Sequence, residues 1–252
     1  IGANTAIFSV VNAVLLRALP YRDADRLVTV WENNKRRGNA QNVINLANFF
    51  DWKEQNRVFE DMATFFDLTT NLTSGGEPEQ VPGLRVTASF FSVLGVPPMI
   101  GRTFRQEEED AGRDRVVVLS HGLWTRRYRA DPAVVGDTIQ IDGAAFTVVG
   151  VMPPNFVFQF WSGPRQLWVP AGWTRGDQSR GANSFVSIAR LKPNVSLTDA
   201  RGEMDVIGRA LAAAYPNDNA GQTVRVVPMR EYSSQPLRAP LYAMLGVVGF
   251  VL

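Results

Sequence analysis

Both ends of the 252-residue chain are apolar runs that carry no charged side chain. Residues 1–16 and residues 241–252 contain no Asp, Glu, Lys or Arg. Neither run reaches the roughly 20 apolar residues that a helix needs to cross a bilayer. We therefore expect residues 1–19 to be the C-terminal part of one truncated transmembrane helix and residues 237–252 to be the start of the next. The chain between them is long enough to form a domain.

Other interpretations of the two ends stay open. The first run could be the core of a signal peptide, although it lacks a basic start and residues 16–20 make a poor small-residue cleavage site. Both runs could be buried helices of a soluble protein, as apolar runs of this length often are, or re-entrant or interfacial segments. The similarity of the two ends favours membrane helices.

Composition narrows the range of functions. Hydrophobic residues make up 45% of the chain, which is enough for a real core. The net charge is only +2, and Lys and Arg are scattered among Asp and Glu, so no basic face for nucleic acid is expected. The absence of cysteine excludes disulfides, thiolate metal sites and cysteine nucleophiles.

The pattern of apolar residues and caps predicts an α+β fold. Predicted strands cover residues 26–32, 80–86, 116–119, 138–141, 146–151, 167–170, 185–191 and 222–227. Helices are expected after Asn45, Thr87, Ser120 and Ser196, which are good N-cap residues. Residues 59–66 are interpreted as a connector, residues 167–170 as an edge strand, and Asp142-Gly143 as a hairpin turn. The two outer parts of the chain share the order strand, helix, strand. This predicts one α+β unit from residues 21–100 and 183–230, with a β-rich subdomain of residues 101–182 inserted in it.

Catalytic chemistry has little support in the sequence, and we expect no catalytic, metal or cofactor-binding residues. His121 is the single histidine, and Ser120 beside it is better explained as a helix cap. The acidic run at residues 107–110 lacks the ligand spacing of a calcium loop and is expected to be solvated. A phosphate-binding loop and the G-x-S-x-G and H-E-x-x-H motifs are missing as well.

Four aromatic residues form the best candidate for a contact with a partner or with lipid. Phe156, Phe158, Phe160 and Trp161 crowd a segment rich in Pro and Gly at residues 153–164. Two of the phenylalanines share the alternation of an extended strand, so packing in the core is the favoured interpretation. Contact with a partner or with lipid is the alternative.

Five motifs in the middle of the chain resemble a known family. They are Val-Thr-Ala-Ser-Phe-Phe at 86–91, Gly-Arg-Thr-Phe at 101–104, Val-Leu-Ser-His-Gly-Leu-Trp at 118–124, Val-Gly-Asp-Thr-Ile at 135–139 and Phe-Thr-Val-Val-Gly-Val-Met-Pro at 146–153. In order and spacing they resemble the periplasmic core domain of MacB-like ABC transporter permeases. Residues 16–21, leading to residues 26–28, resemble the duplicated permeases that are abundant in acidobacteria.

The resemblance implies a porter-like α/β sandwich unit with an inserted β-rich subdomain, placed between a first transmembrane helix and three further ones. It implies a non-catalytic domain of an export permease in the bacterial inner membrane, facing the periplasm, that transmits ATP-driven conformational change. ATP would bind a separate ABC ATPase subunit or domain. The other implied partners are a second copy or a paired permease, a periplasmic adaptor, and membrane lipid at both termini.

Two further functions remain as alternatives at this stage. A sensory or ligand-binding domain between two membrane helices would need a concave pocket with a few convergent polar groups. A membrane-anchored hydrolase would need a catalytic role for residues such as His121.

Overall fold

One mixed sheet of eleven strands organises the structure, a computed structural model that describes residues 19–34, 39–158, 163–173, 180 and 184–231. The predicted membrane segments lie outside these residues, except for residue 19. The strands are β1 (Leu27–Asn34), β2 (Asn39–Asn42), β3 (Phe59–Leu72), β4 (Glu79–Val86), β5 (Ile100–Gly101), β6 (Val116–Leu119), β7 (Thr138–Ile141), β8 (Ala144–Val151), β9 (Leu167–Pro170), β10 (Val186–Leu191) and β11 (Gln222–Pro228). The helices are α1 (Leu46–Gln55), α2 (Phe90–Leu94), α3 (His121–Tyr128), α4 (Leu197–Ala214) and α5 (Pro216–Asn219).

The strand order is β11-β1-β10-β3-β4-β9-β6-β8-β5, with β2 beside β1 and β7 beside β3 and β8. The strands from β11 to β4 pair antiparallel, whereas β4 pairs parallel with β9. One half of the sheet thus comes from the two outer parts of the chain, and the other half from residues 100–170. This mixed sheet with packed helices confirms the α+β class; the boundaries at residues 100 and 183 stay a prediction.

Local capping chemistry starts the helices where the sequence predicts them. The Asn45 side chain accepts a hydrogen bond from the amide of Asn48, and the hydroxyl of Ser120 accepts one from Leu123. Ser196 forms a capping box at the start of α4. Each cap satisfies an amide that the first helical turn leaves without a partner.

Three sequence predictions about local structure are wrong. Residues 59–72 form the longest described strand. Residues 62–65 are buried on both faces of the sheet, so the apolar pattern interpreted as a connector lacks the alternation of a half-exposed strand. Residues 167–170 lie between β4 and β6 instead of at an edge, which explains why all four are buried. Helix α2 begins after Ser89, and the Thr87 hydroxyl instead accepts from the amide of Thr64.

The apolar core is continuous on one face of the sheet and divided on the other. The continuous cluster joins residues of both halves, among them Phe65, Val86, Val118 and Trp168. On the opposite face, α1 and α4 cover the half around β1, while α3 covers the half around β8. This continuous cluster, which we call the shared core, therefore packs the two halves of the sheet against each other.

Candidate functional site at the tip of the β3–β4 hairpin

The longest strand, β3, contacts both halves of the sheet. Its first residue, Phe59, pairs with Leu191 of β10, and its C-terminal half pairs with β4. Its last residue, Leu72, pairs with Ile141 of β7. Fourteen residues at about 3.3 Å each span roughly 45 Å. A single strand thus runs from one end of the sheet to residues 138–142. The coupling site is our name for residues 70–79, Arg126, Arg127, Tyr128 and Asp142, whose contacts are described below.

A guanidinium from α3 holds the tip of the β3–β4 hairpin. Arg127 donates to the carbonyl oxygens of Ser74 at 2.6 Å, Leu72 at 3.1 Å and Gly76 at 3.3 Å. It also donates to Glu79 at 3.2 Å, and only 5% of its side chain is exposed. Three backbone carbonyl oxygens and one carboxylate therefore fix the position and orientation of one buried guanidinium.

The neighbouring arginine binds the same carboxylate from the solvent side. Arg126 forms two hydrogen bonds of 2.7 Å to the oxygens of Glu79. This charged hydrogen bond, more than any other contact, holds the pKa of Glu79 below its ordinary value. Because 51% of the Arg126 side chain is exposed, the pair is screened by water.

A glycine is required at the tip. Gly75 has a φ of +77°, in the left-handed region, and a Cβ added there would lie 2.8 Å from the Tyr128 ring. A side chain at residue 75 would therefore be strained by the positive φ and would require the Tyr128 ring to move.

The β7–β8 turn binds the end of β3 through a carboxylate. Asp142 and Gly143 have φ angles of +48° and +76°, as predicted for this turn. The Asp142 carboxylate accepts from the Thr70 hydroxyl at 2.6 Å and from the Asn71 amide at 2.8 Å. Partial burial raises the pKa of Asp142, but these hydrogen bonds outweigh it and leave the pKa below its ordinary value.

Two further ion pairs cross between the halves of the sheet nearer its middle. Arg165, whose side chain is 5% exposed, donates to Asp67 of β3 at 2.6 Å. Arg85 of β4 lies 3.6 Å from Asp114. The coupling site is thus supported by contacts along the hairpin as well as at its tip.

The aromatic contact candidates separate into two groups. Phe156 and Phe158 are 7% and 1% exposed and belong to the shared core. The Phe158 ring packs edge-on against Phe65 and Phe90, with centroids 5.1 and 4.9 Å apart. Phe160 and Trp161 lie outside the described residues, and contact of this segment with a partner or with lipid stays a prediction.

Ser120 and His121, the side chains considered for catalysis, both make contacts within the fold. The Ser120 hydroxyl caps α3, and His121 lies edge-on to the Trp124 ring. Among the described residues, no group of three or more His, Cys, Asp or Glu is placed to hold a metal ion.

The expectation that the acidic run is solvated is wrong for two of its members. Glu108 is buried and receives two bonds from Arg102, at 2.6 and 2.9 Å. Glu109 accepts from the amide of Ala88, and burial raises its pKa. Both carboxylates fasten residues 106–109 to the rest of the fold.

The two described chain ends lie at the same end of the sheet. Val28, near the start of β1, pairs with Pro228 at the end of β11. Residues before 27 and after 228 therefore leave the sheet side by side. Within the described part of the chain, no helix has the length and apolarity to span a membrane.

Comparison with known proteins identifies the family. A family model described as the MacB-like periplasmic core domain matches residues 1–207. The periplasmic region of MacB from Actinobacillus actinomycetemcomitans is similar in structure, with a TM-score of 0.58, 13% identity, and coverage of 94% of this chain and 98% of that chain. The extracellular domain of the noncanonic ABC-type transporter YknZ from Gram-positive bacteria has a TM-score of 0.56 and 13% identity, covering 80% of this chain and 99% of that one.

At 13% identity, the structural similarity establishes the fold alone, and the assignment to a family rests on the family model. No curated protein sequence matches the chain. The closer resemblance to the duplicated acidobacterial permeases stays a prediction. The chain belongs to the MacB-like periplasmic core domain family, the periplasmic domains of ABC-type transporter permeases.

Proposed function

We propose that this domain relays ATP-driven conformational change from membrane helices to the outside of the membrane, within an export permease, and that it catalyses no reaction itself. The observation that carries the proposal is the path of β3. This strand begins near the end of the sheet where both chain ends leave, and it ends at the coupling site.

Such a path suits a mechanical relay. A displacement applied to residues before 27 or after 228 acts on β1 and β11, which are hydrogen-bonded into the same sheet as β3. Packed interiors resist continuous deformation, so the displacement is passed on as a movement of whole elements. The coupling site then determines whether residues 101–182 follow that movement.

The energy for the movement would come from a partner. An ABC ATPase subunit or domain would bind and hydrolyse ATP on the cytoplasmic side. A second copy of the permease, or a paired permease, would supply the surface against which the domain moves, and a periplasmic adaptor could receive the movement. Residues 1–19 and 237–252 would lie in the bacterial inner membrane, with lipid around them. Each nucleotide state would favour one arrangement of the domain pair through its differential interaction with the two states.

The sensory alternative has weaker support. A cavity lined by Glu32, Asn48 and Trp52 and their neighbours encloses about 10 Å³. That volume holds about one water molecule, whereas small-molecule pockets are roughly 300–1,000 Å³. A thermal-shift screen that found specific stabilisation by a small metabolite would favour the sensor.

A spectroscopic measurement tests the relay. The chain has no cysteine, so Ala133→Cys provides a single spin-label site on an exposed turn of residues 101–182. In the assembled transporter, the distances between labels on two copies should differ between the nucleotide-free and ATP-bound states. Identical distance distributions in a transporter that hydrolyses ATP would contradict the proposal.

A further inference from the structure

A small cavity lies where α1 and α4 meet the sheet. Its volume is about 10 Å³, and its lining includes Trp52 of α1, Gly208 of α4, Glu32 of β1 and Gln222 of β11. A cavity of this size holds about one water molecule. The polar groups around it therefore decide what can bind there.

Most of the polar side chains beside the cavity bind one another. The Glu32 carboxylate is buried and accepts from the side-chain amides of Asn45 at 2.9 Å and Asn48 at 2.7 Å. The amides of Asn48 and Asn219 exchange two hydrogen bonds, of 3.1 and 3.0 Å. These contacts place a fixed polar cluster next to the cavity.

Two buried polar atoms at the cavity have no such contact. The indole N–H of Trp52 and the side-chain oxygen of Gln222 have no hydrogen-bond partner among the described residues. The Gln222 nitrogen donates to the carbonyl oxygen of Asp218 at 2.8 Å, which leaves the oxygen as the free end of the amide. Buried polar groups in folded proteins are almost always hydrogen-bonded. The cavity thus offers one donor and one acceptor, both unpaired.

We propose that one water molecule binds in this cavity, accepts from the Trp52 indole and donates to the Gln222 oxygen. Only a neutral molecule that both donates and accepts satisfies the two groups. A cation would face the indole N–H, and an anion would face the Gln222 oxygen and the Glu32 carboxylate. The bound water links α1 to the edge strand β11, and this inference does not depend on the proposed relay.

Nuclear Overhauser contacts with water test the proposal in the 252-residue chain, isotope-labelled at the indole nitrogens and held in detergent. Trp52→Phe identifies the Trp52 indole signal by deleting it. We expect an indole–water cross-peak whose NOE and ROE have opposite signs, which distinguishes a bound water from proton exchange with the solvent. Trp168 is the matched control, because its indole N–H is also buried and unpaired among the described residues but lies in the shared core, outside the cavity lining. We expect no water cross-peak at Trp168.

Two variants determine the origin of the cross-peak. Gln222→Leu removes the acceptor and should weaken the Trp52 cross-peak at least about twofold, because the water loses one of its few polar partners. Thr223→Val removes a hydroxyl from a residue that lines the cavity and should leave the cross-peak unchanged. A Trp52 signal without a cross-peak, or an equally strong one at Trp168, would overturn the proposal. So would a cross-peak that disappears in Thr223→Val or stays unchanged in Gln222→Leu.

Discussion

Truncation of Arg127 to alanine tests how firmly the hairpin tip is held. The change removes three hydrogen bonds to backbone carbonyls and one to Glu79. Hydrogen bonds from a charged donor contribute about 1.5–3 kcal/mol each, and an acceptor that water can reach recovers part of the loss. Leu72 is fully buried, whereas Ser74 and Gly76 lie at the more accessible tip.

The bond to Leu72 is lost in full, those to Ser74 and Gly76 are lost in part, and Glu79 keeps its two bonds to Arg126. These losses predict a decrease of about 3 kcal/mol in the free energy of unfolding. For a domain of this size, that decrease corresponds to a fall of about 6–12 °C in Tm. Urea unfolding of the 252-residue chain in detergent, followed by tryptophan fluorescence, measures the difference directly. Arg127→Lys should fall between the parent and the alanine variant, because it keeps the charge but loses the planar fork.

Arg126→Ala is the matched control. Arg126 lies on the same helix and binds the same carboxylate, but it is half exposed and donates to no hairpin backbone carbonyl in the described contacts. We expect it to lower the free energy of unfolding by at most about 1 kcal/mol. Equal losses in the two variants, or a loss below about 1 kcal/mol for Arg127→Ala, would refute the assignment of the buried guanidinium as the clamp.

Three more predictions address the coupling site, the shared core and strand β5. The depressed pKa of Asp142 means that its stabilisation is present above the unfolded pKa of about 3.9 and is lost as the pH falls through the lower folded value. The stability difference between the parent and Asp142→Asn should therefore shrink between pH 7 and pH 3 in denaturation curves. Phe158→Ala should cost about 3–5 kcal/mol and Val157→Ala less than about 0.5 kcal/mol; similar costs would contradict the burial of only the first. Gly101→Ala should destabilise the chain by at least about 1 kcal/mol more than Gly143→Ala, because both have positive φ but only the first Cβ would meet a backbone oxygen, that of Val149.

Features that depend on a few neighbouring residues could be predicted from the sequence. Asn45, Ser120 and Ser196 cap helices because a short polar side chain accepts from the amide three residues later. Asp142-Gly143 forms the hairpin turn because both residues tolerate positive φ. These local rules, together with the family resemblance, were enough for the α+β class.

Features that depend on distant residues could not be predicted in the same way. Arg127 contacts carbonyl groups about 50 positions earlier, and no local pattern indicates those partners. The aromatic spacing at residues 59–66 suits either a connector or a strand, and only the neighbouring strands decide between them. The Ser-Gly-Gly-Glu-Pro run at residues 74–78 is typical of a turn, but it does not indicate what the turn contacts.

The acidic run illustrates the same limit for charged residues. Four adjacent carboxyl groups are usually solvated, yet Glu108 and Glu109 are fixed by Arg102 and by the amide of Ala88. Arg102 lies close in the sequence, but the Ala88 amide is 21 positions away. Burial of a carboxylate therefore followed from tertiary contacts that the sequence alone does not reveal.

The most direct test of the relay compares nucleotide-dependent movement in the two arginine variants. The Ala133→Cys spin label is placed in the parent, in Arg126→Ala and in Arg127→Ala, and label distances are measured in the assembled transporter with and without ATP. We expect the ATP-dependent shift to persist in the parent and in Arg126→Ala and to be reduced or broadened in Arg127→Ala. An unchanged shift in Arg127→Ala, with the domain folded, would contradict a relay that passes through the coupling site.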